Sequence, residues 1–130
     1  MNAQPRFYPA TAPAPDPGAV LAQAAVRAAE LLDIPQSVLA QIIGLSAATV
    51  SRLAHGQKTL EPDSKSWQLA ALFVRLFRSL DAIVGSDDAA ARAWLRSDNL
   101  GLGGTPRELI TDLAGLVRTV DYLDAARARI

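Results

Sequence analysis

The chain has 130 residues, half of them apolar, and its 13 lysines and arginines balance 13 aspartates and glutamates. That suffices for one average domain, or two very small helical units sharing a core. A zero formal charge excludes a protein that coats nucleic acid through a large basic excess, and the lack of cysteine excludes disulfides, thiolate metal sites and a cysteine nucleophile.

Alanine and leucine dominate and long alternating runs of β-branched residues are missing, so the expected fold is all-α. Residues 1–16 hold Pro5, Pro9, Pro13 and Pro15 among Ala, Thr and Gln, and read as a disordered arm. This start lacks the basic-then-apolar layout of a signal peptide, so the expected location is the cytoplasm. The first helix opens with Asp16 as N-cap and Pro17 at its first position, carries Val20, Ala24, Leu31 and Leu32 inward, and closes at Pro35.

The next stretch, "PQSVLAQIIGLSAATVSRLAHGQ", is the most informative. A helix opening at Pro35 and Gln36 has Leu39, Ala40, Ile42 and Ile43 on its inner face, and Gly44 ends it. Ser46 caps a second short helix with Val50 and Leu53 inward, and Gly56 stops that one. Two short helices joined by a glycine-containing turn make a helix-turn-helix. A long helix is expected at Ser66–Val84. Its apolar positions, from Leu69, Leu72, Leu76, Leu80 and Ile83 round to Trp67, Ala70, Val74 and Phe77, are broad enough for burial on two sides, within the chain as the ordinary cause or, as the alternative, in a dimer. Arg75, Arg78 and Asp81 interrupt the run Leu69–Val84, so no membrane segment is expected. The expected division is therefore arm 1–16, helix-turn-helix domain with connecting helix 17–84, and a small helical unit 85–130.

In that last unit, Asp87 and Asp88 begin a helix carrying Ala90, Ala93, Trp94 and Leu95. The glycine run "LGLGGTPREL" follows, then helices expected at Pro106–Leu113 and Leu116–Arg129. The run does not fit G-x-G-x-x-G, because Pro106 stands where the third glycine belongs. Thr105 and Glu108 instead have the spacing of a capping box, which would occupy the helix start and set a carboxylate where a phosphate would sit. On the closing helix the expected core stripe is Leu113, Leu116, Val117, Val120 and Leu123. Arg118, Tyr122, Ala125 and Arg129 lie together on another face, and a tyrosine between arginines is a common protein-binding arrangement.

The acids fall at helix starts (Asp87, Asp88), in a loop (Glu61, Asp63) or on a helix surface (Asp121, Asp124), and His55 is the only histidine. These give no catalytic pair, triad or metal set, so neither an enzyme nor a cofactor is expected. DNA binding is better supplied. No acid lies between Asp33 and Glu61, a span that holds Arg52, His55 and Lys58. The expected DNA contacts are Ser46, Ala47, Ala48, Ser51 and Arg52 on the second helix, with Gln36 and Lys58 at its flanks. The short side chains imply modest affinity per monomer and a homodimer on a palindrome.

"QSVLAQIIGLSAATVSRLAHGQ" resembles the Xre/phage-repressor helix-turn-helix. "AWLRSDNLGLGGTPRELITDLAGLVRTVDYLDAARARI" resembles the toxin-binding domain of the Xre/MbcA/ParS antitoxins. The motifs that carry this are Trp94-Leu95, Asn99, Leu102-Gly103-Gly104, Pro106, Glu108-Leu109-Ile110 and Val120…Leu123. The resemblance implies an antitoxin that binds a RES-domain toxin, an enzyme depleting NAD. It implies that the C-terminal domain blocks the toxin's active site, and that the helix-turn-helix represses the shared operon. Toxin contacts are expected at Trp94, Asn99, Leu102, Gly103, Gly104, Arg118, Tyr122, Arg127 and Arg129, within a hetero-oligomeric complex. Two alternatives remain: a stand-alone repressor with a C-terminal dimerisation domain, and a scaffold whose helix-turn-helix does not bind DNA.

Overall fold

A computed structural model describes residues 15–130, so the expected arm lies outside the described residues except for Pro15 and Asp16. Seven α-helices and no strand occur among the described residues: α1 (Pro17–Leu31), α2 (Gln36–Ile43), α3 (Ala47–Ala54), α4 (Lys65–Ile83), α5 (Asp88–Arg96), α6 (Pro106–Leu109) and α7 (Leu113–Arg127).

Helix α1 starts as its sequence directs, with the Asp16 carboxylate accepting from the Gly18 N–H at 3.0 Å and Pro17 just inside. Its buried side differs from the expected one. Ala22, Ala25, Val26, Ala28 and Ala29 face inward, while Val20 is 56% exposed. Small side chains win because α1 lies close against α4, α3 and α2 at once.

Between α2 and α3 the chain turns through 107°. Gly44 makes that possible with φ of 73°, its N–H and that of Leu45 both returning to the Ala40 carbonyl. The Ser46 hydroxyl then caps α3 by accepting from the Thr49 N–H at 3.1 Å. Leu39, Ala40, Ile42, Ile43, Val50 and Leu53 are all buried, as the motif requires.

Helix α4 is the structural axis. It packs on α1 and α2 along one side and on α7 along another, which accounts for its broad apolar face within the chain. Phe73, Leu76 and Leu80 are fully enclosed and join the residues of both halves in one continuous core. Helix α5, capped by Asp87, buries Ala91 and Leu95 rather than Ala93. It is tied back to the α1–α2 turn by Arg92 Nη1, which donates to the Leu31 carbonyl at 3.0 Å, and by the Arg96–Asp33 ion pair at 2.7 Å.

The closing helices depart from expectation. Helix α6 is a single turn, and Asp112 caps α7 by accepting from the Gly115 N–H at 2.8 Å, so α7 begins at Leu113 rather than Leu116. That start sets the face that turns inward. Gly115, Leu116, Thr119, Val120 and Leu123 are buried, whereas Leu113 and Val117 are 62% and 37% exposed. Thr119 is tolerated inside because its hydroxyl donates to the Gly115 carbonyl at 2.7 Å.

Candidate functional site

Two surfaces carry the candidate residues. On the first, α3 presents Ser46, Ala47, Ala48 and Arg52 to solvent, with exposed Gln36 at the start of α2 and exposed Lys58 in the loop beyond. Ser51 is half-buried and its carbonyl is occupied by His55 Nδ1 at 2.7 Å. The Ser46 hydroxyl is also engaged, since it caps α3 and donates to Thr49 Oγ1 at 2.8 Å. Arg52 Nη2 donates to the same oxygen at 3.5 Å. Thr49, which the sequence reading passed over, therefore joins Ser46 to Arg52 on the outer face. Its three-residue spacing from each was the available signal.

The second surface is built around the turn after α5. Asn99 organises it: its N–H donates to the Gly104 carbonyl at 2.9 Å, and its own carbonyl accepts from Leu102, Gly103 and Gly104 at 2.9 to 3.2 Å. Its side-chain Oδ1 accepts from the Leu102 N–H at 3.0 Å. Gly103 supplies the left-handed residue at φ 75°. The Leu102 side chain is buried beneath the turn, and its carbonyl accepts from Arg118 Nη2 at 2.6 Å. Trp94 and Tyr122 lie against each other with ring centroids 6.2 Å apart. Gly101 runs so near that a Cβ there would stand 2.9 Å from Tyr122 Cε2.

Trp94, Asn99, Leu102, Gly103, Gly104, Arg118 and Tyr122 thus come together, largely as a brace. The brace holds out Leu100, which is 100% exposed. Sequence reasoning missed Leu100; the clue was an apolar residue set between Asn99 and Gly101 at the tip of a glycine turn.

The capping box does not form. Thr105 makes no side-chain cap, and its hydroxyl donates to Asp98 Oδ1 at 2.7 Å. Helix α6 has a single turn to stabilise, while Asp98 offers a charged acceptor across the base of the glycine turn. The hollow lined by Asp98, Asn99, Leu100, Gly103 and Gly104 still disfavours a phosphate, because it has an acid and no cation.

The basic residues of α7 divide. Arg118 reaches the turn, but Arg127 lies on the opposite side of the helix, with Nη1 3.5 Å from Ser79 Oγ in α4. Nine residues at 100° per residue place the two arginines half a revolution apart. Arg129 is exposed past the last residue of α7.

A helix-turn-helix that shares its core with a braced, apolar-tipped turn is the build of a regulator with one face for DNA and another for a protein. Two known families match the chain. The antitoxin Xre-like helix-turn-helix domain matches residues 12–75, and the antitoxin Xre/MbcA/ParS C-terminal toxin-binding domain matches residues 79–129. The chain belongs to the Xre-type antitoxins of toxin–antitoxin systems, with a toxin and DNA as its partners. Both families are regulatory domains and not enzymes. Among curated proteins none matches the chain. No single helix among the described residues is long and apolar enough to cross a membrane.

Proposed function

We propose that this antitoxin neutralises a RES-domain, NAD-depleting toxin by covering its active site with the Asn99–Gly104 turn. We further propose that it represses its own operon from the cytoplasm as a homodimer. The observation that carries the first part is Leu100, an unpartnered apolar side chain held out by hydrogen-bonded turn geometry. A rigid apolar projection is suited to filling a pocket, because little ordering entropy is lost on docking. Trp94, Tyr122 and Arg118 support the turn from behind and border the contact, and Gly103 and Gly104 keep its rim low. Arg129 reaches the same partner only from the far end of α7.

For the DNA-facing part, Ala47, Ala48 and Arg52 meet base edges while Gln36, Ser46, Ser51 and Lys58 contact the backbone. In this reading residues 17–84 form the DNA-binding unit and 85–130 the toxin-binding unit, both built on α4. The test is co-expression with a neighbouring RES-domain protein, following growth and cellular NAD. Rescue of both together with a co-purifying hetero-oligomer supports the proposal. Failure of rescue with intact operator binding favours a stand-alone repressor instead.

A further inference from the structure

An open groove of about 630 Å³ runs between α1 and α4, away from both surfaces described above. This size falls within the range of roughly 300–1,000 Å³ typical of sites that enclose a ligand. Apolar side chains that include Val20, Trp67 and Ala71 line it, and three exposed arginines, Arg75, Arg78 and Arg127, stand at its edge. Arg75 is held by Asp124 at 2.6 Å, and Arg127 approaches Ser79. Arg78 pairs with no acid among the described residues. No acid lines the groove.

We propose that this groove docks an amphipathic helix of a partner protein that carries glutamates or aspartates beside its apolar face. A cleft between two helices is a seat for the apolar face of a third, and a cationic edge selects acids flanking that face. Charge argues against the other occupants. A second copy meeting the groove face to face would bring the same three arginines together. Residues 1–14 contain Arg6 and no acid, so the chain's own N-terminus lacks the complementary charge. Arg127 and Arg118 lie on opposite sides of α7, and the groove shares no lining residue with the Asn99–Gly104 turn.

The chain's two tryptophans make the test direct, since Trp67 lines the groove and Trp94 braces the distant turn. The probe is a synthetic helical peptide with leucines at i, i+4 and i+7 flanked by glutamates, with a lysine-flanked version as control. The indole N–H signals of the full chain are followed by NMR. The expected result is a saturable shift of Trp67 and not Trp94 with the glutamate peptide only. Arg78→Glu should weaken that binding by about tenfold or more and admit the lysine peptide. Absence of a Trp67 shift, or equal binding of both peptides, overturns the proposal. So does a Trp67 signal that depends on protein concentration without peptide and loses that dependence in Val20→Asp, since the occupant is then a second copy.

Discussion

Replacing Leu100 with alanine separates the projecting side chain from its supports. Leu100 is fully exposed, so its truncation leaves no cavity and the stability change should stay within about 0.5 kcal/mol. If the leucine enters a pocket on the toxin, the variant loses three buried carbons at about 0.8 kcal/mol each, or about 2.4 kcal/mol. That corresponds to an increase in Kd of roughly 50-fold. The assay pairs titration calorimetry against a catalytically inactive toxin with a thermal melt of the free antitoxin. An affinity loss of less than about threefold would show that Leu100 does not enter a pocket. A large fall in melting temperature would contradict the view that Leu100 has no partner within the chain.

Arg52→Glu should weaken binding to operator DNA by about 1–3 kcal/mol in a shift assay, with the toxin affinity unchanged; equal binding removes Arg52 from the interface. Gly44→Ala should cost about 1–2 kcal/mol in urea unfolding, because a Cβ there meets only an ordinary 3.4 Å contact to Leu69 and the penalty is the left-handed backbone at φ 73°. Ser79→Ala should cost about 1–2 kcal/mol, since the buried hydroxyl donates to Asp124 Oδ1 at 2.7 Å while Arg75 keeps the other oxygen paired. Trp67→Phe and Trp94→Phe each leave one reporter, in α5 and α4 respectively, and the two fluorescence transitions should have coincident midpoints because one core joins both halves; separated midpoints contradict a shared core.

The helix-turn-helix was legible because it is written in local rules. A left-handed glycine, a serine cap and the helical spacing of Leu39 with Ile43 in α2 and of Val50 with Leu53 in α3 all act within a few residues. Asp16, Asp87 and Ser46 cap the helices that the sequence assigned to them. What misled were positions decided by distant partners. Val20 has the apolarity of a core residue, yet close packing of α1 on α4 selects the alanines and turns it outward. Leu113 and Val117 fit a helical stripe as well as Thr119 does, and only the Asp112 cap and the approach of α4 decide among them. Thr105 had two acceptable uses for its hydroxyl, and Asp98, seven residues earlier, took it. Arg127, expected with Arg129 to meet the toxin, lies half a revolution from Arg118 and beside Ser79, so any contact it makes there is apart from the turn.

The angle between the DNA-facing and protein-facing surfaces is set by apolar packing rather than by the polar ties across the halves. The Arg96–Asp33 pair is exposed on both sides, at 56% and 70%, so it contributes at most about 1 kcal/mol. Arg92 adds one charge-assisted bond to the Leu31 carbonyl, itself only partly buried. Against these stand Phe73, Leu76 and Leu80 of α4, enclosed together with Leu116, Val120 and Leu123 of α7, each large side chain contributing about 1.5–3 kcal/mol. Close-packed interiors resist gradual deformation. A partner docked on Leu100 therefore meets a surface whose orientation to α3 is already fixed. Any influence it has on DNA binding must come from bulk, charge or assembly rather than from bending α4.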